Sequence, residues 1–265
     1  MSEILCSTGA LIGRANGRNY RLLEEFSKVL ICDGFEFMIY GAWYEEFDHL
    51  MEFMKSQNFN IPVIHCDKLI GQLISEEKEE AFENFELNCK AAKELGAKKL
   101  VLHLWNGPIS DKFIDRNIKA CGRLLEIAKR YGQELMIENV VCNQQDPMTH
   151  WKTLSEIYPE LTFIFDTKMA AFHRQMDELY GAEWLKDKVH HYHVNDYGGG
   201  YMDWSKLRTL PIGEGHIDFE PFWQHIKDTG YDGTFTLEST AFDMEGNIDL
   251  EMLNRQVRYI RSKTE

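Results

Sequence analysis

Leu135-Met136-Ile137-Glu138-Asn139 is a short apolar run of strand length that stops at a carboxylate, and it decides how the rest of the chain is understood. The same pattern recurs three times downstream. Phe163-Ile164-Phe165 runs into Asp166, Val189 to Tyr192 runs into His193, and Phe235-Thr236-Leu237 runs into Glu238. Helix-length segments separate these runs. As successive parallel strands they would bring Glu138, Asp166, His193 and Glu238 to one end of a sheet. Without a cation, neighbouring carboxylates repel: two unit charges about 4 Å apart cost about 4 kcal/mol at an effective dielectric near 20. A divalent ion reverses that sign. Oxygen-rich ligands with one imidazole favour one ion of Mn²⁺, Mg²⁺ or Co²⁺, with Zn²⁺ also admitted. Taken singly, each of the four is equally an ordinary polar residue at a loop edge.

Outward from this stretch the alternation continues to both ends. Upstream, strand-like runs cover Ile4–Thr8, Phe35–Tyr40, Ile61–His65 and Lys99–His103. Helical spacing follows each, over Tyr20–Leu30, Trp43–Lys55 and a long segment from an N-cap at Ser75 to Leu95, with Gly96 as C-cap. Another helix closes at Gly132. Downstream, helices are expected near Met148–Tyr158, Phe172–Tyr180, Phe219–Thr229 and Leu250–Ser262. Eight strand–helix alternations without a linker-like break predict one (β/α)8 barrel domain over residues 1–265. A doubly wound open sheet is the alternative, but no G-x-G-x-x-G follows the first strand. Barrels gather ligands at the C-terminal ends of their strands, where the ionisable residues fall.

Other residues at or near strand ends are candidates for contacting a substrate. His65 and His103 end the third and fourth strands, and Trp105 follows closely, as Trp43 follows the second. Either tryptophan has a face on which a sugar could stack. Glu36 is a charge within an apolar strand, which is costly to bury alone and places it at the barrel mouth. Lys168 and Arg208 could neutralise an anionic substrate. His191 shares a strand face with His193, one layer deeper, where a hydrogen-bonded core histidine is expected; His190 points the other way.

A net charge of −14, from 43 acidic and 29 basic residues, argues against nucleic acid or anionic membrane as partners. Six scattered cysteines without a C-x-x-C pair, and an N-terminus without signal-peptide features, lead to the expectation of a reduced, cytoplasmic protein.

Several segments resemble the xylose isomerase-like TIM barrel superfamily of sugar isomerases and epimerases. They are Ala91-Ala92-Lys93-Glu94-Leu95-Gly96-Ala97 before His103, Glu138-Asn139, His193-Val194-Asn195-Asp196, Pro211-Ile212-Gly213-Glu214-Gly215, and Gly230-Tyr231-Asp232-Gly233 before Glu238. The resemblance implies that Glu138, Asp166, His193 and Glu238 hold the metal, and that the two glutamates double as acid/base groups. The implied activity is a metal-dependent sugar or polyol isomerase or epimerase, working by proton transfer through an enediolate. A related dehydratase or lyase, and a non-catalytic sugar-binding protein, are the alternatives. Relatives are often dimers or tetramers, which leaves a homo-oligomer open. Two departures stand out. Met169 occupies the place of a histidine that follows the Asp in many relatives, and Leu207-Arg208-Thr209 replaces an Asp-Arg-His triplet of endonuclease IV. A three-metal phosphodiesterase site would therefore lack several ligands, which argues against DNA repair.

Overall fold

The computed structural model describes residues 2–243 and 245–265. Eight parallel strands close into a barrel in chain order: β1 Glu3–Ser7, β2 Gly34–Met38, β3 Val63–His65, β4 Lys99–Leu102, β5 Glu134–Glu138, β6 Thr162–Asp166, β7 Val189–Val194 and β8 Thr234–Leu237. Helices lie between them, so the fold is the TIM barrel expected from the alternation. Among the described residues, no helix is long and apolar enough to cross a membrane.

Packing divides the chain into two compact units. One comprises the chain up to Glu36, Asp166–Glu183 and His191–Glu265. In it, Leu5 pairs with Gly34 on one side and Thr236 on the other, and His193 pairs with Thr236. Tyr192 stacks on Phe235 at 5.5 Å, and Phe222 and Trp223 cover that layer from helix Glu220–Thr229. Gly230, with φ +65°, ends this helix in the left-handed region that glycine adopts without steric cost.

The second unit comprises Phe37–Phe165 and Trp184–His190. Its strands step in register, Val101 opposite Met136 and Glu138 opposite Ile164. Because both faces of a parallel barrel strand are covered, Leu100, Val101, Leu102, Met136 and Ile137 are all fully buried. Trp151 of helix Pro147–Ile157 stacks on Phe163 at 4.6 Å.

Three helical segments differ from the expectations. Ser75 is the last residue of a helix, Leu69–Ser75, and the helix expected to start there begins at Glu80 and runs to Leu95, with Glu77 in the left-handed region (φ +57°) between the two. Ser75 caps nothing: its hydroxyl donates to Gly71 O and Asn117 Oδ1, both at 2.9 Å. The Tyr20–Leu30 segment holds only a 3-10 turn, Tyr20–Leu22, and the short helix Leu23–Phe26. The segment after β6 is also two helices, Thr167–His173 and Met176–Gly181.

Candidate metal centre

The first unit gathers five ionisable residues, at the ends of β6 and β8 and within β7 and β2. Asp166 is the last residue of β6, His191 and His193 belong to β7, Glu238 directly follows β8, and Glu36 lies in β2. All but Glu238 are fully buried, and the Glu238 side chain is 9% exposed. Ligand atoms of Asp166, His193 and Glu238 lie within 4.8 Å of one another. His193 Nδ1 is 3.9 Å from Asp166 Oδ2 and 3.8 Å from Glu238 Oε2. Those separations are too long for hydrogen bonds and short enough for one shared ion. Two carboxylates and an imidazole, buried together and aimed at one point, fit a hard or borderline divalent metal.

The surroundings orient these donors. Asp166 Oδ1 accepts from the amide of Met169 and so caps helix Thr167–His173, while Oδ2 accepts from Asn195 Nδ2 at 2.9 Å. Asn195 is itself latched: its backbone carbonyl accepts from Thr167 Oγ1 at 2.6 Å and its side-chain oxygen from the amide of Lys168. Glu36 lies 2.9 Å from His193 Nε2 and 2.8 Å from His191 Nε2, and accepts from Thr236 Oγ1 at 2.9 Å. Burial works against its charge, but His193 and His191 prevail and hold the Glu36 carboxyl well below the usual carboxylate range. A carboxylate behind an imidazole turns the other ring nitrogen towards the metal position. Glu36 is therefore an interior partner of the two histidines.

In the second unit, Glu138 ends β5 between His103 and His65. Its Oε2 lies 2.6 Å from His103 Nε2 and 3.4 Å from His65 Nε2, and the two imidazoles meet edge to face at 5.0 Å. Burial lowers the pKa of His103 to about 4, outweighing the attraction of Glu138, so the ring is neutral near pH 7. Trp105 is fully buried; its indole N–H donates to Val140 O at 2.7 Å and its ring packs edge-on against His150. Trp43 is buried against Phe37 and Tyr40.

Lys168 is buried in helix Thr167–His173 beside Met169, and Arg208 is exposed on the long segment after β7. That segment is tied down by Asp196. Its carboxylate accepts from the amides of Tyr197, Gly213 and Ile217, and its backbone bridges to Leu210. Gly213 sits at φ +91°, and a Cβ on Gly215 would collide with Asp196. The Gly-rich motif thus owes its composition to the Asp196 latch. Sequence spacing gives no hint of Asn195 as the residue that orients Asp166, although the two lie only 29 positions apart at neighbouring strand ends.

One curated protein, an uncharacterized protein of Methanocaldococcus jannaschii, is 27% identical over 172 residues, 57% of this chain. The match covers 53% of that relative, about half of its length. Among solved structures, a D-allulose 3-epimerase from Methylomonas sp. in complex with D-allulose is similar with a TM-score of 0.72 at 14% identity, covering 99% of this chain and 97% of that one. IOLI protein with a bound zinc atom is similar with a TM-score of 0.65 at 15% identity, covering 99% and 96%. At these identities the likeness is one of fold. The family model of the xylose isomerase-like TIM barrel matches residues 30–262, and the chain belongs to that family.

Proposed function

We propose that this protein is a divalent-metal-dependent sugar or polyol epimerase or isomerase, acting as one barrel domain over residues 1–265. The observation that carries this reading is the convergence of Asp166, His193 and Glu238, with Glu36 braced behind the histidine. Glu138 is the fourth ligand in this reading, since it ends the strand paired with β6, whose last residue is Asp166. The ion is of the Mn²⁺, Mg²⁺, Co²⁺ or Zn²⁺ class. Similarity in fold to a sugar epimerase and to a zinc-bearing protein supports both parts of the reading.

A divalent ion bound here would polarise a substrate carbonyl and stabilise the charge that develops on it by several kcal/mol. The proton chemistry belongs to the chain. One of Glu138 and Glu238 removes the proton α to the carbonyl; the C–H electron pair becomes the C=C bond and the carbonyl π pair moves onto oxygen, giving an enediolate. The other glutamate returns a proton. Return to the opposite face of the same carbon gives the epimer, and return to the neighbouring carbon, with the hydroxyl proton passing between the two oxygens, gives the aldose–ketose isomer. His103 and His65 hold the Glu138 carboxylate in one orientation. The neutral His103 ring beside it leaves that carboxylate free to accept a proton.

The test is metal content by mass spectrometry together with deuterium uptake into candidate ketoses from D₂O. About one ion per chain, with uptake abolished in Glu138→Gln and Glu238→Gln, is the expected result. Full exchange in either variant would sink the proton-transfer assignment, and no metal after reconstitution would sink the site.

A further inference from the structure

A second group of metal-ligating side chains shares no residue with the strand-end donors. It comprises Asp111 at the end of helix Gly107–Asp111, Cys142 in the segment after β5, and His150 of helix Pro147–Ile157. All three are buried, and one ligand atom from each lies within 4.8 Å of the others. We propose that Asp111, Cys142 and His150 form a separate three-ligand site for a borderline divalent ion of the Zn²⁺ or Co²⁺ class.

The donor set is the first reason. Thiolate, imidazole and carboxylate together are the ligands zinc takes, and three of them leave a fourth position open. The spacing is the second. His150 Nε2 lies 3.3 Å from Asp111 Oδ1. A strong imidazole–carboxylate hydrogen bond is shorter, about 2.7–2.9 Å. Two ligands each about 2.0–2.1 Å from a tetrahedral ion stand about 3.3–3.4 Å apart.

The third reason is that the donors are held from behind. Asp111 Oδ2 accepts from the amides of Asn143, at 2.7 Å, and Gln144, which turns Oδ1 towards His150. The Trp105 ring packs edge-on against the imidazole at 5.0 Å and is fixed through Val140 O. Such outer contacts are what metal sites use to fix ligand orientation.

The strand-end donors are oxygen and nitrogen, whereas this cluster brings sulfur, so the two sites are separable by spectroscopy. The full chain is stripped with chelator, kept reduced with a phosphine and titrated with Co²⁺. Thiolate ligation adds a sulfur-to-cobalt charge-transfer band in the near ultraviolet, which oxygen and nitrogen ligands do not give. The expected band rises to saturation, survives Glu238→Gln and is lost in Cys142→Ser. No band in the unmodified protein overturns the proposal and leaves a hydrogen-bonded packing cluster, in which Cys142 Sγ donates to Gln145 O at 3.4 Å. A band that persists in Cys142→Ser also overturns it, by assigning the thiolate to another cysteine. If that variant fails to fold, His150→Gln takes its place, and a band there identical in position and intensity to that of the unmodified protein overturns the proposal.

Discussion

Glu36 and His193 stand 2.9 Å apart, carboxylate to Nε2, and this contact decides which imidazole nitrogen is left facing Asp166 and Glu238. With Nε2–H given to Glu36, the lone pair on Nδ1 points to the proposed ion. Glu36→Gln keeps the size and removes the charge. Metal affinity is expected to fall about 10–100-fold, the range seen when the partner behind a ligating histidine is lost. Competition against a chromophoric chelator measures it, and an unchanged affinity would show that His193 needs no such brace.

Asp166→Asn separates the helix cap from the metal ligand. Asparagine caps a helix about as well as aspartate, so helix Thr167–His173 should survive with a stability change within about 1 kcal/mol. The neutral amide is a poor metal ligand, so bound metal and deuterium exchange should both collapse. Circular dichroism and metal analysis on the same sample check the two halves. Loss of fold with metal retained would reverse the assignment.

The half-exposed pair His190–Glu134 gives a pH dependence of its own. The hydrogen bond to Glu134 raises the His190 pKa above 6.5, with burial opposing. For Glu134, burial opposes the charge, but the hydrogen bond from His190 prevails and lowers the pKa below 4.5. The histidine's contribution is full below about 6.5 and is lost as pH rises through its raised value. The carboxylate's contribution is full above about 4.5 and is lost as pH falls through its lowered value. The pair therefore stabilises most between those limits. With side chains 40% and 32% exposed, the contribution is about 0.5–1 kcal/mol after solvent screening. Urea melts of Glu134→Gln against the unmodified protein should differ at pH 5.5 and converge at pH 9. An equal difference at both values would refute the coupling.

Gly71 is the point at which helix Leu69–Ser75 meets the backbone after β4. A Cβ there would run into the carbonyl of His103 and lie 2.9 Å from that of Leu104. Gly71→Ala is expected to destabilise the protein by about 1–3 kcal/mol through overpacking. It should also displace His103, visible as a change in the histidine ring resonances by NMR. A melting temperature equal to that of the unmodified protein would mean that the helix shifts freely.

The barrel and its strand ends were legible because a parallel βα alternation forces successive apolar runs to finish at one rim, whatever the intervening helices do. Asp166 and Glu238 stand out for the same reason: an acid directly after a buried run has few other places to go. Ser75 shows where local pattern fails. A serine followed by two glutamates has the look of an N-cap, yet Gly71 O and Asn117 Oδ1 claim the hydroxyl and Glu77 turns left-handed, so the helix begins later, at Glu80. Glu36 lay within the same limit. Its place in an apolar strand was plain, but its partners come from β7 and β8, at separations of 155, 157 and 200 residues. Asp111, Cys142 and His150 share no strand or helix period, so only tertiary packing brings them together.

The two oxygens of Asp166 have separate employments: one holds the Met169 amide and the other faces His193 and Asn195. The carboxylate cannot swing to chelate without releasing the helix. As a ligand it would thus offer a single oxygen. In the proposed site an ion would receive a sparse protein shell for its charge, leaving coordination for a pair of adjacent oxygens of the proposed substrate. Lengthening the side chain by Asp166→Glu would free the second oxygen and let the protein compete with the proposed substrate for the proposed ion.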